Sequence, residues 1–107
     1  MNIEPEELLR QLDAGEAPFV LDVRTGLEYA AGHVPGAAHA PFQSIRAHLA
    51  SLPSDRRTPL VVYCGHGPRA HIAAVLLRQL GFRNLTYLKG HWAGWRRRHL
   101  REERGST

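Results

Sequence analysis

In "YCGHGPRA", residues 63–70, the only cysteine of a 107-residue chain stands ahead of two glycines, a histidine, a proline and an arginine. One thiol cannot form an intramolecular disulfide, so Cys64 is either an inert buried group or a reactive one. Its neighbours favour reactivity. Successive backbone N–H groups in a glycine-rich turn can converge on one point, and a helix opening near Arg69 or Ala70 adds partial positive charge there. Arg69 brings a permanent cation with a forked set of donors. Such a loop cradles an anion, and the same features stabilise a thiolate at its start. Gly65 and Gly67 keep side chains clear of a ligand or take positive φ, and Pro68 stiffens the turn before the helix. His66 leaves two readings open, contact with a substrate or a solvent-facing loop position without a role. His71 reads as a surface or packing residue of the helix. No metal is expected on Cys64, His66 and His71, because the chain has no CxxC, no HExxH and no clear fourth ligand.

The surrounding pattern says what positions this loop. "PFVLDVR" and "TPLVVYC" are short apolar runs of strand-forming residues, and "NLTYLKG" is a third. Helical signals alternate with them. In "EPEELLRQLDAG", Pro5 suits a first turn, Leu8, Leu9 and Leu12 share a face, and Gly15 closes the helix. "TGLEYAAG" predicts a short helix stopped by Gly32, "HVPGAAHAP" an irregular loop with a brief strand, and "SIRAHLASL" a helix with Ile45, Leu49 and Leu52 on one face. In "RAHIAAVLLRQLGF", Ile72, Leu76 and Leu80, with Ala73 and Leu77 alongside, predict a buried stripe. "HWAGWRRRHLREE" reads as a last helix with Trp92 and Trp95 turned inward and its arginines outward. The alternation predicts an α/β fold, a three-layer sandwich with a central, mostly parallel sheet and helices on both faces. Ligands in such folds bind beyond the carboxyl ends of strands, where Cys64 falls.

Charge and length bound the remaining possibilities. The net charge is +4, yet five arginines against two glutamates in residues 96–107 carry most of it, so the body of the chain is near neutral. That distribution argues against nucleic acid as the partner and predicts a solvated, basic helix end, whose arginines complement the helix dipole. Arginine outnumbers lysine thirteen to one, so its choice in the tail reflects a general bias. No apolar run is long enough for a membrane span, and the acidic start "MNIEPEELL" lacks the pattern of a signal peptide, so a cytoplasmic location is expected. Residues 1–107 are expected to form one domain with no repeat.

Three segments, in order, resemble the rhodanese-like domain family over nearly the full length. "LDVRTGLEYAAGHVPGA", residues 21–37, is similar to its amino-terminal signature, with Asp22 and Arg24, Glu28, and the Gly32, His33, Pro35, Gly36 run. "CGHGPRA" is similar to its active loop, and "LKGHWAGW" to its closing glycine-rich segment before a tryptophan-bearing helix. The resemblance implies a single-domain sulfurtransferase. Cys64 would attack the outer sulfur of thiosulfate or another persulfide-type donor and pass it on as a persulfide to cyanide, a small thiol or a protein thiol. Gly65, His66, Gly67, Pro68, Arg69 and Ala70 would bind the anionic sulfur donor, and no cofactor is implied. Asp22 and Arg24 would form a structural pair supporting the loop, and His33 a bracing hydrogen bond. The chain has His39 where the family often has Asn, Lys89 where it has Gly, and Ala70 where it has Ser, which bears on substrate preference.

Two other functions are weighed against this. A cysteine phosphatase or arsenate reductase would use a similar loop, but such loops carry one residue more than the span from Cys64 to Arg69, and many such reductases need a second thiol. A sulfur-carrier or protein-interaction module would keep the Cys64 chemistry without turnover on small acceptors, with the basic tail docking its partner.

Overall fold

The structure, a computed structural model, describes residues 1–105; Ser106 and Thr107, the end of the expected basic tail, lie outside the described residues. Five parallel strands form one sheet in the order β1-β5-β4-β2-β3. They are β1 (Asn2–Ile3), β2 (Phe19–Asp22), β3 (Ala38–His39), β4 (Leu60–Tyr63) and β5 (Leu85–Leu88). Helices α1 (Pro5–Asp13), α2 (Gly26–Ala31), α3 (Pro68–Gln79) and α4 (His91–Arg97), with a 3₁₀ segment Phe42–Ser51, make the connections. This is the expected α/β sandwich with helices on both faces. Among the described residues, no helix is long and apolar enough to cross a membrane.

The side-chain alternation of β4 places the chemistry. Successive strand residues point to opposite faces, so Leu60, Val62 and Cys64 join the core under α3 and the 3₁₀ segment. Val61 and Tyr63 join the other core with Leu8, Tyr29, Trp92 and Trp95, under α1, α2 and α4. Being central, β4 is covered on both sides, and all four of its residues are buried. That explains its uninterrupted apolar sequence.

Three readings of the sequence change, and one strand is added. The buried face of α3 is Ala70, Ala73, Ala74 and Leu77, whereas Ile72 is 53% exposed. The i, i+3, i+4, i+7 spacing runs through the alanines, whose small side chains let the helix lie close on the sheet; Leu76 and Leu80 pack only partly. "SIRAHLASL" belongs to the 3₁₀ segment, interrupted at Ser44, although Ile45 and Leu52 are buried as expected. β1, two residues against β5, is too short to announce itself by periodicity.

The last helix ends at Arg97, well before the predicted end. His99 takes a positive φ of 54° and the chain turns back, so that Glu103 pairs with His33 in an antiparallel bridge. Two attractions pull it there. The buried Trp95 indole N–H needs an acceptor and donates to the Arg101 carbonyl at 3.0 Å. Arg98 pairs with Glu4 and Glu6, and Arg101 with Asp13. The basic end is therefore partly neutralised against α1, not simply solvated.

The revised face of α3 is testable by paired truncation. Leu77→Ala is expected to cost about 2–5 kcal/mol in urea denaturation, and Ile72→Ala about 0.5 kcal/mol or less. The reverse ranking would restore the face predicted from the large apolar residues.

Candidate functional site

Cys64 follows the last residue of β4 and is fully buried. The loop behind it is fixed by backbone bonds to the start of α4: Trp92 N–H donates to the Cys64 carbonyl at 2.9 Å, and Ala93 N–H to that of Gly65 at 3.0 Å. The Gly67 N–H donates to Cys64 Sγ at 3.0 Å. Gly67 has φ 136°, a conformation that disfavours any side chain, which is why the loop can turn its amide back onto the sulfur. Pro68 then opens α3 in its first turn, where its missing N–H costs nothing. The first-turn amides of α3 have no preceding turn to satisfy them and lie next to the thiol's loop.

The expected loop residues separate into groups. Gly65 and Gly67 line the turn; a Cβ on Gly65 would stand 3.1 Å from Arg69 Nη2. His66 and Pro68 are exposed. The Ala70 side chain is fully buried in the core under α3, so only its backbone can serve a ligand.

Arg69 carries its charge into an ion pair. Its guanidinium grips the Glu28 carboxylate through two bonds, of 2.6 and 3.1 Å. Glu28 also accepts from the backbone and hydroxyl of Thr25, closing a capping box at the start of α2. Arg69, followed by the Thr25 bonds, lowers the Glu28 carboxyl to about 2, against a desolvation that opposes it. The pair ties α2 to α3 across the mouth of the loop.

Asp22 and Arg24 form a buried ion pair. Asp22 is 0% and Arg24 3% exposed, with Arg24 Nη2 to Asp22 Oδ2 at 2.7 Å. Arg24 also donates to the Gly32 carbonyl at 2.6 Å and stacks over the Trp92 ring, 4.8 Å from its centroid. Support reaches the cysteine loop at one remove, through Trp92. His33 braces a different region. Its Nδ1 donates to the Tyr29 carbonyl at 2.6 Å, its ring stacks on Tyr29, and its Nε2 lies 3.6 Å from Glu103.

One residue at the loop escaped the sequence reading. The Cys64 N–H donates to His91 Nδ1 at 3.3 Å, and the same ring faces Gly67 through Nε2. His91 has φ 55°, outside the common range for a residue with a side chain. Accepting at Nδ1 requires the unprotonated nitrogen. Burial, followed by the charge of neighbouring His66, pushes the His91 pKa down and favours that form. The available signal was a histidine after the "LKG" glycine, and only the tertiary fold brings it to Cys64. Among the described residues, no three His, Cys, Asp or Glu side chains gather where they could share one metal ion.

The rhodanese-like domain family matches residues 4–98 of the chain. A sulfurtransferase of Allochromatium vinosum is 33% identical over 98 residues, covering 92% of this chain and 90% of the relative. A thiosulfate sulfurtransferase of Pseudomonas aeruginosa is 36% identical over 94 residues, covering 88% and 82%. Among solved structures, the Alr3790 protein from Anabaena sp. superposes with a TM-score of 0.85 at 29% identity, covering 95% of this chain and 82% of that one.

The His91 contact predicts a pH dependence with a definite sign. A histidine whose folded pKa is depressed below 6.5 contributes stability that is complete above that value and lost as pH falls through the folded value. His91→Asn, which tolerates the positive φ, is expected to be less stable than the parent by about 1 kcal/mol at pH 7.5. The gap should narrow toward pH 5 in urea titrations. A gap that stays constant or widens would mean that the imidazole is not the neutral acceptor of the Cys64 N–H.

Proposed function

Because the chain belongs to the rhodanese-like domain family, a family of sulfurtransferases, we propose that it carries sulfane sulfur from thiosulfate or another persulfide-type donor through a Cys64 persulfide. The acceptor is thiophilic, such as cyanide or a thiol. The observation that carries this reading is the Gly67 N–H on Cys64 Sγ at the start of α3. In the first half-reaction the Cys64 thiolate attacks the outer sulfur of thiosulfate. A Cys64 S–S bond forms, the donor S–S bond breaks, and sulfite leaves with the electron pair. In the second, the acceptor attacks the terminal sulfur, and Cys64 is released as a thiolate.

The loop's amides suit both stages. An anionic terminal sulfur held against Gly67 N–H and the first turn of α3 exchanges water for fixed donors, and these need no reorganisation as charge moves between sulfurs. The closed thiol sets a condition, because its sulfur must touch the donor to react. The glycines on either side of His66 are where the loop can open with the least steric cost. Arg69, held by Glu28, contributes the cation nearest the loop, with donors left over for an anionic substrate. Asp22, Arg24 and His33 act as supports outside the chemistry.

Thiosulfate treatment followed by intact-mass measurement is expected to add one sulfur atom to the protein and none to Cys64→Ser; identical masses would refute the persulfide. Phosphate-ester turnover without sulfur transfer would point instead to an oxyanion enzyme. Negligible rates with cyanide and glutathione, beside fast transfer to a protein thiol, would point to a carrier.

Arg69→Ala removes the cation and leaves Glu28 unpaired at the loop mouth. Its kcat/KM with thiosulfate is expected to fall about tenfold or more, and with glutathione persulfide by a smaller factor. Equal losses with the two donors would remove Arg69 from donor recognition.

A further inference from the structure

The five arginines of the carboxyl-terminal segment do not share one environment. Arg98 and Arg101 turn to α1 and its acidic neighbours, pairing with Glu4, Glu6 and Asp13. Arg96, Arg97 and Arg104 instead line a groove with Ala93, His99, Leu100 and Glu102. Glu102 is its one carboxylate, and it touches Arg96 only at 3.6 Å, with the Arg96 side chain 66% exposed. Three cations thus line the groove beside one carboxylate, which Arg96 alone approaches within 4 Å.

The groove leads toward the cysteine loop. Arg96, Glu102 and Arg104 also line a second depression, bounded by Gly32, Trp92 and Glu28. Glu28 is the residue that grips Arg69 at the loop mouth. On the near side, Ala93 lines the groove while its N–H holds the Gly65 carbonyl. The chain turn at His99, which brings Glu102 and Arg104 back beside α4, creates this furrow; a helix continuing to Glu103 would have carried them away.

We propose that this furrow docks an acidic segment of a thiol-bearing protein that exchanges sulfur with Cys64. The inference rests on the sulfur-transfer reading above, and it names the partner class that reading leaves open. Charge complementarity selects an acidic occupant. Glu102 among the arginines favours a polypeptide, whose N–H groups can satisfy that carboxylate, over a continuous phosphate backbone, which it repels. A nucleic acid also brings no thiol to Cys64.

The test uses three short synthetic peptides with one cysteine each, flanked by Asp and Glu, by Ser and Gly, or by Lys. Discharge of the sulfur-loaded protein by the acidic peptide at low salt is expected to be about tenfold faster than by the neutral one, from a few rim ion pairs. The advantage should shrink with added NaCl and vanish in the triple variant R96A/R97A/R104A, while discharge by cyanide stays unchanged. Glu102→Gln, which leaves all three arginines in place, should strengthen the preference. Fluorescence anisotropy of the acidic peptide on Cys64→Ser reads docking without any chemistry, so failure of the sulfur-transfer reading would leave the docking result standing. Equal discharge of acidic and neutral peptides, or a preference that survives in the triple variant, overturns the proposal. So does a single-stranded oligonucleotide that binds through these arginines where the acidic peptide does not.

Discussion

A guanidinium with 3% of its surface exposed needs a counter-ion, and at the carboxyl end of β2 that requirement organises the molecule. Arg24 meets it with Asp22 two residues back. Its remaining donors and its flat face reach the Gly32 carbonyl, Trp92 and the Tyr63 ring. One side chain thereby joins β2, the end of α2, β4 and α4. Removing one partner of such a pair costs about 3–5 kcal/mol, because the other charge is left buried and alone. The backbone around it is equally committed: His39 bonds to the Arg24 carbonyl, and the Val23 N–H to that of Tyr63. The loop that follows Tyr63 starts from a fixed point.

From that point the site is assembled by small backbone contacts. Trp92, held under Arg24, gives its N–H to the Cys64 carbonyl, and His91 beside it takes the Cys64 N–H. The peptide groups around the sulfur are thus set by α4, while the sulfur itself is met by an amide from the start of α3. Glu28 joins α2 to the same loop through Arg69. Three helices from both faces of the sheet converge on one thiol, which accounts for a site at the carboxyl edge of the central strand.

Local patterns disclosed much of this and tertiary contacts the rest. The apolar runs around Val20 and Val62 gave the central strands, because strands buried on both faces leave a uniform signature. The glycine spacing around His66 marked the loop, since a tight turn before a helix restricts which residues fit. The face of α3 was misjudged where alanines, chosen for close approach, carried less apparent apolar weight than Ile72. Arg69 was legible as a cation but its commitment to Glu28, forty-one residues away, was not. His91 and the turn of the tail onto His33 likewise depend on residues distant in sequence, so no periodicity reveals them.

The central claim is that the loop from Gly65 to Ala70 holds the sulfur in transit on Cys64. Amide proton–nitrogen correlation spectra of the labelled protein, recorded before and after thiosulfate and again after cyanide, address it most directly. The account predicts shifts concentrated in the amides of Gly65, His66, Gly67, Arg69 and Ala70, largest at Gly67, and reversed by cyanide. Spectra unchanged by thiosulfate, or shifts centred away from this loop, would contradict it.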